Sequence, residues 1–331
     1  MKTLVTGAGG FLAEQICLQV AASGKEVKAL YRSAYNSEFD SIENITPIKA
    51  NLLDKESLKE AIKDCDEIYH VAAFSNNWAK EPSIFYKVNI GGSMNLLDLA
   101  KEYGVKKIII TSSAGTIGPA PEGKDFVTED QYRTINFFGD YESSKFILDE
   151  RVQHYVRRGM DISIVCPARI FGPGKYGVKG NIISKILTGY IKGNWKIKLG
   201  DGQDKACYAF VDDVVQGHLL AMKNGKPGEK YLIGSFNDTF QGFLDTVGEI
   251  TGKKRKLIPI PFWLLSFYAK LIGGISNLFK FDPVVTKEWM IKLQGNWQAD
   301  LSKAKNELGF VPTSKKEALN KTVAWIKKDI L

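Results

Sequence analysis

The sequence predicts an α/β fold in which a doubly wound parallel sheet is followed by a smaller, mainly helical C-terminal domain. Three observations carry this. Short runs rich in Ile and Val alternate with amphipathic stretches through the first half of the chain. The first run leads straight into a glycine-rich turn, TGAGGFLAEQ. Beyond Pro173 the alternation gives way to a helix-rich, Lys-rich remainder. Such alternation is the pattern of parallel strands joined by right-handed helical crossovers, with helices on both faces.

Six segments read as strands: KTLVTG (2–7), EVKAL (26–30), ITPIKA (45–50), EIYHVAA (67–73), KKIIITSS (106–113) and DISIVCP (161–167). They are rich in β-branched residues, and several end in small or turn residues. Helical patterns occupy 11–23, 55–63, 83–103 and 141–158 between them. After Pro173 come a helix-like 181–192, a strand-like KIKL (196–199) and a short strand that becomes a helix at Asp212. YLIGS (231–235) is a further strand and 239–251 a further helix.

Composition narrows the function. The chain has 331 residues, 44% hydrophobic and 25% charged, as ordinary soluble enzymes have. Cys17, Cys65, Cys166 and Cys207 are scattered without a CxxC pair, which points to a reducing compartment rather than a disulfide framework. His70, His154 and His218 lack metal-ligand spacing, so no metal is expected. The formal net charge is +8, but lysines and acids are interleaved, a solvated surface rather than a nucleic-acid interface. The first residues lack a signal-peptide pattern, and a cytoplasmic location is the expectation.

The glycine turn has a physical logic. Gly7 permits a tight turn after the first strand, Gly10 lets backbone approach a pyrophosphate, and Ala13 lets the helix pack closely on the strand. The free N–H groups of the helix N-terminus then face the phosphates. This is a Rossmann-type dinucleotide site. A carboxylate at the end of the second strand would bind the ribose 2′-hydroxyl of NAD; here the strand ends LYRS, and Arg32 stands in that place. Its planar fork matches a 2′-phosphate, which predicts NADP over NAD. The chain divides into a dinucleotide-binding domain, 1–173 plus about 204–233, and a substrate-binding domain, about 174–203 plus 234–331.

Several motifs in order resemble the extended short-chain dehydrogenase/reductase superfamily. They are TGAGGFL (6–12), ANLLD (50–54), HVAA (70–73), VNIGGSMNLLDLA (88–100), TSSAGTIG (111–118), YESSK (141–145), CPARIFGPG (166–174), YAFVDDVVQGHLLA (208–221) and QADLSKAKNELGFVP (298–312). Asn51 departs from the aspartate more usual in the second motif. Within the superfamily the chain most resembles the dihydroflavonol-reductase-like branch of the NAD-dependent epimerase/dehydratase family, and it is similar to 3β-hydroxysteroid dehydrogenases. CPARIFGPG departs toward the sugar-epimerase style.

The resemblance implies a catalytic set of Ser113, Tyr141 and Lys145. It implies cofactor contacts at Gly7, Gly10, Phe11, Leu12, Arg32, Asn51, Leu52, Ala72, Ala73, Tyr141, Lys145 and Pro167. Tyr141 and Lys145 fall one turn apart on one helix face. An ammonium beside a phenol lowers its pKa, which predicts Tyr141 as a general acid or base. Lys145 would also hold the nicotinamide ribose, and Ser113 the substrate oxygen. Strand alternation turns Ser112 away from Ser113; Thr111 is a further rival. Asn89 orients the active site in some relatives, and a helix-packing or backbone-capping role is at least an equal alternative here. A homodimer is expected by resemblance.

On the substrate side, Trp78 either lines the pocket or packs. Tyr132, Phe137 and Phe138 would form an apolar entrance. Lys175, Tyr176 and Lys179 would hold a phosphate or carboxylate, or be solvated. IPFWLLSFYAKLIGGISNLFKF (260–281) is too interrupted to span a membrane, so no transmembrane segment is expected. Packing inside the C-terminal domain is preferred to peripheral membrane contact. The leading reading is an NADP-dependent reductase of a ketone or aldehyde on a largely apolar small molecule. A sugar-nucleotide epimerase or dehydratase with tightly bound cofactor is second. Arg32 argues against it, as does the lack of arginines for a diphosphate: Arg255 is the only one from Lys175 to Leu331. A non-catalytic cofactor-sensing or interaction protein is third, and the intact catalytic set counts against it.

Overall fold

The computed structural model describes residues 1–331 except 77, 175–180, 266, 269–271 and 273–294. Seven parallel strands form the main sheet: β1 (Lys2–Thr6), β2 (Glu26–Tyr31), β3 (Ile45–Lys49), β4 (Glu67–His70), β5 (Lys107–Thr111), β6 (Ile162–Pro167) and β10 (Lys230–Ile233). Their spatial order is β3-β2-β1-β4-β5-β6-β10. The order reverses between β1 and β4, which opens a crevice at their carboxyl ends. The central strands are nearly continuous apolar runs because both faces are covered; every residue of β6 is buried.

On one face lie α1 (Phe11–Ala22) and α8 (Val211–Asn224), packed on each other. On the other lie α2 (Lys55–Ile62), α4 (Ser93–Glu102) and α6 (Asp140–Arg157). The predicted helix over 83–103 forms, but not as one regular helix. A short α3 (Ser83–Tyr86) passes into α4 through a π-helical turn, Lys87–Gly92. The turn α5 (Ala114–Ile117) follows β5.

The remainder is built on a second, three-stranded sheet. β9 (Lys205–Phe210) lies between β7 (Arg169–Phe171), which runs parallel to it, and β11 (Phe236–Thr239), which is antiparallel. Aromatic rings fill the space beside it, with Tyr208 stacked on Phe243 at 4.2 Å and Phe171 edge-on to Phe243 at 5.5 Å. Helix α9 (Phe240–Thr251) packs against both α7 (Ile182–Lys192) and α10 (Lys315–Asp329). β8 (Ile197–Leu199) pairs with β12 (Ile258–Ile260). The apolar core is continuous from Leu4 to Ile326.

The described part of the 260–281 stretch does not pack inward as expected. Residues 262–265 and 267–268 are helical, yet Trp263 is 72% and Phe267 63% exposed. Among the described residues no helix is long and apolar enough to cross a membrane.

Candidate active site

A cleft of about 680 Å³ follows the carboxyl ends of the central strands and collects every residue of the predicted site. Gly7 leaves β1 at φ +81°, a backbone region that L-residues avoid. A methyl group there would stand 2.9 Å from the Cα of Ala72. The small residues at 7 and 72, sixty-five positions apart in sequence, thus meet one requirement: two backbones must touch beneath the cleft. Gly10 donates its N–H to the Gly7 carbonyl at 2.8 Å and begins α1 without a side-chain cap. The first-turn amides of α1, at Phe11 and Leu12, border the cleft uncapped by any described side chain.

Arg32 follows β2 at the cleft rim, exposed, with no ion pair or hydrogen bond among the described residues. The loop behind it is fixed: Asn36 Nδ2 donates to buried Glu14 Oε1 at 2.6 Å. After β3, Asn51 Oδ1 accepts the Leu53 N–H at 3.1 Å, so this side chain shapes its own turn. Asp54 caps α2 through the N–H groups of Glu56 and Ser57. Leu52 is buried against Gly92, where a Cβ would come within 2.7 Å of it.

The strand-four motif hides a brace that the sequence did not reveal. Thr6 Oγ1 accepts the N–H groups of Val71 and Ala72, each at 3.1 Å. Its proton is therefore directed to His70 Nδ1, 2.8 Å away, and His70 Nε2–H donates to Ser93 Oγ at 2.7 Å. Burial first, then the charge of Lys145, hold His70 down to about 3, so it is neutral. It ties β1, β4 and α4 together beneath Ala72 and Ala73.

Three hydroxyls end β5, and their partners separate them. Thr111 Oγ1 bonds His218 Nε2 at 2.9 Å. Ser112 Oγ donates to Asp149 Oδ2 at 2.9 Å, on the side away from its neighbour. Ser113 Oγ accepts the Gly115 N–H at 3.0 Å as the N-cap of α5. That bond leaves the Ser113 proton free to donate into the cleft. Pro167, buried at the end of β6, lines the far side.

Tyr141 and Lys145 occupy the first two turns of α6 and both line the cleft. Neither the Tyr141 hydroxyl nor the Lys145 ammonium bonds any described residue. Lys145 is 1% exposed, and burial pushes it down to about 8. A buried ammonium with unfilled donors on a cavity wall needs acceptors from a ligand, and ribose hydroxyls are of the right kind. One expectation is reversed here. Tyr141 is not brought down by its lysine: burial pushes its phenol above the ordinary value, and the charges of Glu142 and Asp149 add to this.

Asn89 lies in the π-helical turn, 1% exposed. Its Oδ1 accepts the Phe74 N–H at 2.7 Å, while its Nδ2 donates to the Phe74 carbonyl at 3.2 Å and to Ser144 Oγ at 2.9 Å. It therefore fastens the loop after β4 to the helix bearing Tyr141 and Lys145. The only sequence signal was its place in the VNIGGSMNLLDLA motif (88–100).

Sequence reasoning did less well for the substrate side. Tyr132, Phe137 and Phe138 are absent from the cleft wall, and so is Trp78, for which packing was the open alternative. Tyr132 is 92% exposed, and Phe138 packs on Trp297 at 5.6 Å. Phe74, Ile84, Val88 and Ile170 supply apolar wall instead. Arg255 is held by Ile191, its guanidinium donating to that carbonyl at 2.9 Å. Lys175, Tyr176 and Lys179 lie outside the described residues.

The sequence model of the NAD dependent epimerase/dehydratase family matches residues 3–234. The chain is 29% identical to sterol demethylase protein B of Methylococcus capsulatus, over 99% of each chain. It is 28% identical to a putative dihydroflavonol 4-reductase of Synechocystis, over 98% of this chain and 94% of that one. In structure it is similar to UDP-glucose 4-epimerase of Thermotoga maritima, with TM-score 0.80, 24% identity and full coverage of both chains.

Proposed function

We propose, for a chain that belongs to the NAD dependent epimerase/dehydratase family and is an NAD(P)-dependent enzyme of the extended short-chain type, that it reduces a ketone or aldehyde on a largely apolar small molecule with NADPH. The observation that carries this reading is the pairing of Tyr141 and Lys145, two cleft-facing donors without a partner among the described residues, with the free proton of Ser113.

In this reading the glycine turn and the α1 amides hold the pyrophosphate, Arg32 pairs with the 2′-phosphate, and Lys145 donates to the ribose hydroxyls. The residues 1–173 plus about 204–233 bind the dinucleotide. When bound, the nicotinamide supplies the hydride that reduces the carbonyl carbon. Tyr141 stays protonated because burial raises it, and it gives its proton to the carbonyl oxygen. Ser113 donates a hydrogen bond to the same oxygen, so negative charge meets two donors as it builds. The ammonium of Lys145 then stabilises the phenolate left behind.

An apolar substrate is supported by Phe74, Ile84, Val88 and Ile170 on the wall and by the sterol-named relative. The test is NADPH consumption across a panel of ketones and aldehydes, with binding of NADPH and NADH measured beside it. Tighter binding of NADH removes the Arg32 argument. Turnover of a UDP- or dTDP-sugar without net cofactor oxidation replaces the reductase by an epimerase.

A further inference from the structure

The helix that carries Tyr141 and Lys145 places a third ionisable residue in line with them. Asp149 follows Lys145 by one turn, as Lys145 follows Tyr141, and it is 0% exposed. Its Oδ2 receives the Ser112 hydroxyl at 2.9 Å and lies 3.1 Å from the Thr116 hydroxyl, whose one proton it shares with the Ser113 carbonyl at 2.9 Å; Lys230 Nζ approaches to 3.3 Å. Its Oδ1 has no hydrogen-bond partner among the described residues. A buried carboxylate with an unpaired oxygen is costly, and an apolar residue of similar size would be cheaper for stability alone.

The two hydroxyls it holds flank Ser113 in sequence. Ser112 precedes it, and Thr116 closes the turn that Ser113 caps, with the Thr116 N–H bonded to the Ser113 carbonyl at 3.0 Å. We propose that Asp149 is a positioning residue: it locks the serine-bearing turn to the helix that carries Tyr141 and Lys145, and it sets a carboxyl group one helical turn beyond Lys145. This rests on the reading of Ser113, Tyr141 and Lys145 as the reacting set.

The surroundings leave Asp149 as the charge that favours that ammonium. Around the pair stand Tyr141 and Glu142 on α6, His70 on β4, Cys166 on β6, Lys230 on β10 and Glu129 beyond α5. His70 is neutral, and burial keeps Cys166 a thiol. Tyr141 is raised and uncharged. Glu129 accepts the Leu232 N–H at 2.8 Å, and burial raises its carboxyl. Lys230 pairs directly with Asp149. Burial drives Lys145 toward its neutral form, and the nearby Asp149 carboxylate opposes this.

The experiment uses the full chain with ¹³C at lysine Cε and follows the Lys145 resonance, assigned by its absence in Lys145→Met, through a pH titration. In Asp149→Asn the Lys145 midpoint is expected to fall by about one pH unit from its wild-type position. With an active carbonyl substrate, kcat falls about tenfold or more while the KM for NADPH stays within about threefold. Ser112→Ala/Thr116→Val loses kcat similarly but leaves the Lys145 midpoint in place, which separates positioning from charge. An unmoved midpoint in folded Asp149→Asn overturns the charge role, and unchanged kcat in the double variant overturns the positioning role. If Asp149→Asn does not fold, Asp149→Glu takes its place: wild-type kcat and midpoint there overturn the proposal, because the longer side chain moves both the bonds and the charge. A wild-type protein that reduces no carbonyl sinks the reductase reading, while the titration still decides the charge role.

Discussion

Gly7 and Ala72 meet backbone to backbone beneath the cleft, with 2.9 Å between the Ala72 Cα and the place a Gly7 methyl would occupy. The contact is rigid on both sides, since Ala72 is held by Thr6 and Gly7 closes its own turn onto Gly10. Gly7→Ala adds backbone strain at φ +81° to a clash with main chain. Loss of roughly 2–5 kcal/mol of stability is expected in denaturant unfolding, together with loss of dinucleotide binding.

Arg32 has the opposite character. It is exposed and bonds no described residue, so replacing it leaves the thermal midpoint unchanged. Arg32→Asp is expected to weaken NADPH binding by about 10–100-fold and to favour NADH, measured by nucleotide fluorescence. Equal losses for both nucleotides would show that the side chain does not read the 2′-phosphate.

Lys145 costs the cofactor-free protein stability. Its folded value is about 8 against an ordinary 10.5, so below pH 8 both states carry the proton and the folded state bears the full penalty. Between about 8 and 10.5 the unfolded chain holds a proton that the folded chain has released, and stability rises with pH there as far as this group is concerned. Lys145→Met is expected to be more stable by roughly 2–4 kcal/mol at pH 7 and to lack this rise. It also loses activity. A less stable Lys145→Met at pH 7 would mean that the ammonium is already well partnered.

Ser113 joins a cap to a donor. Ser113→Ala removes the Gly115 N–H acceptor at α5, costing about 1 kcal/mol, and removes the hydroxyl aimed at the substrate. A kcat loss of about 100-fold with little change in nucleotide affinity is expected. Ser112→Ala keeps that hydroxyl, so its loss of kcat comes only through the Asp149 link.

Much of this was legible in the sequence because it depends on local pattern. Glycine at 7 and 10, apolar strands buried on both faces, and a tyrosine and lysine one turn apart are each fixed by a few neighbouring residues. What was not legible depends on contacts between distant segments. The brace from Thr6 through His70 to Ser93 spans β1, β4 and α4. The second sheet joins β7, β9 and β11, short strands with little alternation to mark them. The sign of the Tyr141 shift was missed because adjacency to a cation is visible in a sequence and depth of burial is not. The aromatic residues of the 114–140 loop misled for the same reason: Phe138 is apolar because Trp297, far along the chain, lies against it.

The central claim is that Tyr141 gives the proton during NADPH-dependent carbonyl reduction. Tyr141→Phe removes one oxygen and leaves the ring in place. Steady-state NADPH oxidation with a carbonyl substrate, measured beside NADPH binding, tests it most directly. With Tyr141 as the proton donor, kcat is expected to fall about 1,000-fold while nucleotide affinity stays within a few-fold. Full activity in Tyr141→Phe would contradict it.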